Sequence, residues 1–389
     1  MKIHHQLRAF QQILERYKGD IPLHRFLFGY YKQNKQMGSS DRRWATRYIY
    51  SYFRLGNAMA TRSQNLRLAV ADFLCNDTPS LIVESELPFY VDQMKSALHD
   101  KLNLLTETFP DFNLQDVFRF QEHLSAGVDR AAFAASHFIQ PDLFIRVKRS
   151  YMPQVLNELL AHEVPFRELS ETTVALPNGT KLEQILTDQT LFEVQDLSSQ
   201  ETGKYFEPGK WEYWWDCCAA SGGKSLLLHD SEPTVQLLVS DLRSSSLDNL
   251  EERFRAAGIK TYQKKVLDLL QNNEQVLHHY EFDGIILDAP CSGSGTWGRT
   301  PEMLHYFDAN KIEAFAALQR AIATNVCKYL KPGAPLIYIT CSAFMQENET
   351  SVKWLTENLP LSLEKAEVIK GYDHKADTMF VARLIKTEA

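Results

Sequence analysis

The sequence is short of several things, and each absence narrows its class. No apolar run approaches the roughly 20 residues a helix needs to cross a bilayer, so no membrane span is expected. The opening stretch, MKIHHQLRAFQQILERY, lacks the apolar core of a signal peptide and reads as an amphipathic helix. Cysteine is scarce. Six in 389 residues, two of them adjacent (Cys217, Cys218), do not make a disulfide framework. No CxxC pair and no Cys/His cluster has zinc spacing, and no internal repeat or low-complexity segment is present. These absences fit a reducing, cytoplasmic location. Acidic residues are almost missing from residues 1–70, where Glu15, Asp20 and Asp41 face thirteen Lys and Arg. The whole chain carries −7, so the remainder is strongly acidic. That asymmetry suggests an end that faces a polyanion, although a solvated helical surface accounts for the charge as well.

What is present suggests two or three domains. Residues 1–127 read as helical: Leu7, Phe10, Ile13 and Leu14 recur at helical spacing, as do Ala45, Tyr48, Ile49 and Phe53. Ser39-Ser40-Asp41 reads as the cap of the second of these helices. Aromatics beside Arg can stack on RNA bases, but at this spacing they read first as core. Residues 128–204 form a small α/β unit. Its expected strands are at Leu143–Val147, Phe166–Leu169 and Thr173–Leu176, with a helix over Tyr151–His162. Residues 205–389 alternate strand and helix, which argues for a parallel sheet with helices on both faces. The expected strands are Trp211–Trp215, Leu237–Ser240, Thr261–Val266, Gly284–Leu287, Leu336–Thr340 and Met379–Leu384.

The chain is organised around Phe282–Met303, FDGIILDAPCSGSGTWGRTPEM. A buried strand stops on Asp288, Pro290 and Cys291, and a flexible Ser/Gly turn follows. Ligands of open α/β sheets bind outside the carboxyl ends of strands. A second thiol, Cys341, follows the strand that ends Tyr338-Ile339-Thr340. Most cysteines are inert buried hydrophobes, and Cys75 and Cys327 read that way. A thiol at a strand end facing a polar site is a candidate nucleophile.

WEYWWDCCAASGGKS is strand, tight loop and helix start. Cys218, Ala219, Ala220, Ser221, Gly222, Gly223 and Lys224 would let a ligand lie against backbone at a helix N-terminus. Two readings compete. Gly223-Lys224-Ser225 fits the end of a phosphate loop, but Cys218 occupies the position of its first glycine. The other reading is a nucleoside-cofactor loop, and two further strand-end acids favour it. Asp241 suits ribose hydroxyls, and Asp268 suits an adenine amino group.

DCCAASGGK, LVSD, FDGIILDAPCSGSG and LKPGAPLIYITCS resemble, in order and spacing, the RNA cytosine-C5 methyltransferases of the Sun/Fmu (RsmB) type. The lead-in VQDLSSQ and the stretch GRTPEM are similar to that family too. FLFGYYKQNKQMGSSDRRWATRYIYSYFRLGN looks like its NusB-like helical domain, and the 128–190 unit lies where the family carries an RRM-like subdomain. One departure stands out: Ser221 replaces the family's usual loop proline.

The resemblance implies a Rossmann-like class I methyltransferase sheet, an RRM-like α/β subdomain and an all-helical N-terminal domain. It also implies S-adenosylmethionine as cofactor and RNA, ribosomal RNA first, as partner. By analogy, Cys341 attacks C6 of the target cytosine. Asp288 contacts N3, and Cys291 assists loss of the C5 proton and release of Cys341. Lys224, Asp241, Asp268 and also Asp288 hold the cofactor, while Pro290 and Arg299 lie on the substrate side. A DNA-type enzyme would use Cys291 as nucleophile; the Thr-Cys-Ser thiol favours the RNA type. Methylation of tRNA and a catalytically idle assembly factor stay open. A monomer is the default expectation.

Overall fold

The computed structural model describes residues 3–388. They gather into two compact units. The first takes the chain up to Leu124, then Asp129–Gln140, and also Thr296–Ala309 from far downstream. The second takes Ser125–Val128, Pro141–Gly295 and the chain from Asn310. The small α/β sheet and the larger sheet fall in one unit.

The first unit is helical. Its longer helices are Ile3–Arg16, Leu23–Gln33, Ser39–Arg54, Gln64–Cys75 and Leu98–Thr108. Their apolar stripes meet in one core, in which Phe10, Ile13, Tyr48, Ile49, Phe53, Leu68 and Phe73 are fully or nearly fully buried. The expected cap of the third helix shifts by one residue. The helix begins at Ser39, and the Asp41 carboxylate accepts the Gly38 N–H at 3.2 Å. Several of the basic residues are structural. Arg54 is buried and donates to the carbonyls of His137 and Gly298. Arg67 donates to the Gly56 carbonyl and the Tyr52 hydroxyl. Arg47 and Arg62 fork onto Asp72 and Asp111.

The downstream segment Thr296–Ala309 completes this core. Trp297 is 1% exposed and packs on Phe118 and Phe307. Glu302 accepts the Leu23 N–H at 3.0 Å, at the start of a helix where a carboxylate is favoured. Tyr306 meets Tyr17 edge-on with centroids 5.4 Å apart. A Cβ at Gly19 would lie 2.4 Å from the Tyr306 ring, so that contact needs glycine.

The second unit holds two sheets. Strands β1 (Leu143–Val147), β2 (Arg167–Glu168), β3 (Thr173–Leu176) and β4 (Phe192–Val194) form an antiparallel sheet in the order β2-β3-β1-β4. Helix Met152–Ala161 follows β1, and the short helix Leu182–Ile185 precedes β4. The connectivity is therefore the split βαβ of RRM-like domains.

The larger sheet has seven strands: β5 (Tyr213–Asp216), β6 (Gln236–Asp241), β7 (Gln263–Val266), β8 (Gly284–Asp288), β9 (Pro335–Thr340), β10 (Leu361–Ile369) and β11 (Met379–Lys386). Their order is β10-β11-β9-β8-β5-β6-β7. The five strands from β9 to β7 are parallel, and β11 and β10 add antiparallel at one edge. Six of the seven were expected from the sequence. β10 was not, because LSLEKAEVI is an edge strand. Most of its residues face solvent, a register shift falls between Leu363 and Lys365, and no buried period marks it. The chain winds outward from β5 in one direction and returns through β8 in the other. The topological switch point thus lies between β5 and β8, whose last residues are Asp216 and Asp288. Among the described residues no helix is long and apolar enough to cross a membrane.

Candidate active site

The loop after β5 is held by its own backbone. Ala219 N–H donates to the Ser240 carbonyl, and Ala220 N–H donates to the Asp241 carboxylate at 3.0 Å. Ala220 and Gly222 both have positive φ, of 46° and 84°. A Cβ at Gly222 would come within 2.9 Å of Leu250. Gly223 then opens helix Gly223–Ser231. At Ser221, where the resemblance places proline, both the carbonyl and the hydroxyl accept from Arg253 at 3.0 Å. Arg253 is itself paired with Glu193 of β4.

Lys224 does not project into the loop. Its side chain is nearly buried and donates to Asp288 at 3.0 Å and to Ser199 at 2.8 Å. Gln195 donates to both Ser199 and the Gly223 carbonyl. The VQDLSSQ stretch therefore buttresses the loop from outside. Asp216 lies beneath, fully buried. Its Oδ2 accepts from Ser225 at 2.6 Å, while Oδ1 has no partner. Burial, then the nearby Asp288 charge, pushes its carboxyl up to about 7.

The two thiols stand together. Cys291 Sγ and Cys341 Sγ are 3.2 Å apart, each half-buried, just beyond the ends of the neighbouring strands β8 and β9. The hydrogen bond with Cys341, then burial, holds the Cys291 thiol well above its ordinary range. Pro290 offers its carbonyl to Gln319 at 3.0 Å. Gly295 bonds the two loops directly, its N–H donating to the Cys341 carbonyl at 3.0 Å.

Of the remaining expected residues, Asp268 lies beyond β7 and caps its own turn, accepting the Leu270 N–H at 3.0 Å. Arg299 falls in the Thr296–Ala309 segment of the first unit. Cys218 sits in the loop with its thiol half-buried. Sequence reasoning passed over Asp216, Ser199, Arg253, Gln319 and Glu347. The lead-in motif pointed towards Ser199. Nothing in the sequence distinguishes Arg253 or Gln319 from ordinary helix residues.

Residues 204–385 match the family described as 16S rRNA methyltransferase RsmB/F. Over this span the chain is similar to the RsmB/F family. Ribosomal RNA small subunit methyltransferase B of Shewanella oneidensis is 31% identical over 205 residues, covering 50% of this chain and 47% of its own. The protein of the same name from Vibrio cholerae is 34% identical over 167 residues, covering 43% and 38%. The chain thus spans less than half the length of these curated relatives. The crystal structure of PH0851 superposes with TM-score 0.69 at 20% identity, over 99% of each chain. A methyltransferase homolog protein from Pyrococcus horikoshii gives 0.57 at 20%, over 73% of this chain and 98% of its own. At such identities the likeness establishes the fold alone, a Rossmann-like sheet. The RsmB/F span contains the β5 loop, Asp241, Asp268, Asp288 and both thiols of the pair.

Proposed function

We propose that this chain is an S-adenosylmethionine-dependent RNA methyltransferase that makes 5-methylcytosine in ribosomal RNA. The observation that carries this reading is the Cys291–Cys341 pair, 3.2 Å apart beyond β8 and β9, three residues after a carboxylate tethered by Lys224. The names of the curated relatives support ribosomal RNA as the substrate class.

The residues present fit the cofactor. The loop turns through positive φ at Ala220 and Gly222, so a tight turn of small residues leads into the helix N-terminus at Gly223. The unpartnered Asp216 Oδ1 is a buried acceptor waiting for a polar donor. Residues Cys218 to Gly223 would line the cofactor, with Lys224 acting through Asp288 and Ser199; Asp241 would take its ribose and Asp268 its adenine. When bound, S-adenosylmethionine supplies an electrophilic methyl group on a sulfonium.

The chain's own residues do the rest. The Cys341 thiolate adds to cytosine C6, forming an S–C6 bond and displacing the C5–C6 π pair towards C5 and N3. Asp288 stabilises N3 through a shared proton. C5, a weak nucleophile in the free base, is then rich enough in electrons to be methylated. With Cys341 bonded to C6, the hydrogen bond that holds the Cys291 thiol up is gone; Cys291 gives its proton to solvent, its thiolate removes the C5 proton, the double bond re-forms, the S–C6 bond breaks and Asp288 recovers its proton. Pro290 and Arg299 are assigned to the RNA side. The target base must be unpaired or flipped out, at a cost of a few kcal/mol. In this reading residues 1–127 are a NusB-like RNA-binding domain, 128–204 an RRM-like subdomain and 205–389 the catalytic domain. The six free thiols suit a reducing compartment, so we place the protein in the cytoplasm, acting as a single chain.

The test is methyl transfer from labelled S-adenosylmethionine to total RNA. Label should appear in 5-methylcytosine of ribosomal RNA and vanish in Cys341→Ala. Cys291→Ala should accumulate a covalent protein–RNA adduct. Label confined to tRNA would replace the substrate. Cofactor binding without transfer to any RNA, free or in ribosomal particles, would leave an assembly factor.

A further inference from the structure

Both thiol-bearing loops are fastened to one buried side chain. Glu347 follows β9 and is fully buried, as is Gln319 of helix Asn310–Val326. Glu347 Oε2 accepts the N–H of Ser292, the residue after Cys291, at 2.9 Å, and Gln319 Nε2 at 2.8 Å. Its Oε1 accepts the hydroxyl of Ser342, the residue after Cys341, at 2.7 Å. Gln319 Nε2 also donates to the carbonyl of Pro290, the residue before Cys291. Tyr338 of β9 locks the assembly, its hydroxyl bonding Gln319 Oε1 at 2.8 Å and the Glu347 carbonyl at 2.6 Å. One carboxylate therefore takes a bond from the chain beside each sulfur.

We infer that Glu347 is a positioning residue that sets the Cys291–Cys341 spacing by tying the β8 and β9 loops to a single buried acceptor, with Gln319 as its partner. The physical grounds are two. A buried carboxylate persists only when its acceptor sites are filled. Here they are filled by groups adjacent to the thiols rather than by a cation. Breaking the hub would leave the Ser292 N–H buried without an acceptor and take one of the Gln319 amide's two, and the loops would move to replace them.

The inference rests on the proposed function only in taking the thiols as reacting groups. Its first test needs neither RNA nor cofactor. The azo oxidant diamide takes two electrons and two protons from a close thiol pair, giving a disulfide and the corresponding hydrazine. The full-length protein treated with diamide should form the Cys291–Cys341 crosslink, scored by peptide mass mapping. Glu347→Ala should form it at least tenfold more slowly. Glu347→Gln, which keeps an acceptor, should restore most of the rate. Gln319→Met, close to isosteric, removes the second tie and should slow the crosslink too, which covers the case in which Glu347→Ala fails to fold.

Methyl transfer gives the second readout. Glu347→Ala should lose about a hundredfold in turnover, as expected for an ångström-scale misplacement. Its affinity for S-adenosylmethionine should be unchanged, because the β5 loop is outside the hub. Wild-type crosslinking rates in both Glu347→Ala and Gln319→Met would overturn the inference, whatever the transfer assay shows. An inactive wild-type enzyme would overturn the proposed reaction and leave the crosslinking result standing.

Discussion

Asp216 shows how much of a site depends on surroundings that a residue type does not reveal. In the sequence it is only the acid that ends a strand. In the fold it has lost its water, accepts one hydroxyl and leaves one oxygen bare. Its carboxyl rises from 3.8 to about 7. Across that window the folded chain keeps a proton that the unfolded chain has released. The stability contributed by this group therefore falls as pH rises from about 4 to 7, then levels off. Asp216→Asn removes the ionisation. Its stability relative to the wild type should be greater at pH 8 than at pH 5 by about 3 kcal/mol, because only the two units between pH 5 and 7 count, at 1.36 kcal/mol each. An equal offset at both values would contradict the assignment. The thiols were legible because a Pro-Cys and a Thr-Cys-Ser at strand ends are uncommon and carry chemistry in their type. Glu347 was not, because an acid after a strand usually starts a helix. The helix that follows β9 begins at Glu349, and Glu347 turns inward before it.

Four of the five parallel strands announced themselves as short apolar runs, β7 with its Gln and two Lys being the exception, and Asp241, Asp288 and Cys341 stand at the carboxyl ends of β6, β8 and β9 on one edge of the sheet. The loops between them carry a different kind of information, since they are set by close backbone approach. Gly295 is the clearest case. It donates to the Cys341 carbonyl and accepts the Thr378 N–H at 2.9 Å, so it joins the β8 loop to the β9 turn and to the residue before β11. A Cβ there would lie 1.9 Å from the Thr378 carbonyl oxygen. Backbone cannot yield as a flexible side chain can. Gly295→Ala should therefore displace the Cys291 loop, reduce methyl transfer at least tenfold and lower the thermal midpoint, with cofactor binding retained. Transfer kinetics and cofactor titration on the same preparation separate these effects. Wild-type turnover would show that the loop has slack the packing does not suggest. The sequence presents this glycine as one of a flexible Ser/Gly run, whereas the fold uses it as a fixed joint.

At the scale of the whole chain, the basic N-terminal region divides into two populations that composition cannot separate. Arg47, Arg54, Arg62 and Arg67 are spent on carbonyls and carboxylates within the helical unit. Arg8, Arg25, Lys32, Lys35 and Arg43 are exposed and, among the described residues, make no salt bridge. Arg25, Phe28 and Lys32 share one face of helix Leu23–Gln33, and Phe28 is 75% exposed. Most other aromatics of this region are core, as their helical spacing implied. Free cations around an open ring suit single-stranded RNA, which offers phosphates and stacking bases together. Replacing Arg25, Lys32 and Lys35 with Gln should weaken RNA binding and flatten its dependence on salt, since each lost phosphate contact releases fewer counterions. Phe28→Ala should weaken binding by about 1–3 kcal/mol with the salt slope unchanged. Deleting residues 1–70 is a poorer probe. Those residues hold Tyr17 and Phe53, on which Tyr306 packs, so the deletion would strip the core from the segment that directly follows the Cys291 loop in the chain. Fluorescence anisotropy with a labelled unstructured RNA, at several salt concentrations, distinguishes the two substitutions. Unchanged affinity in both would remove the helical unit from RNA binding and leave recognition to the α/β unit.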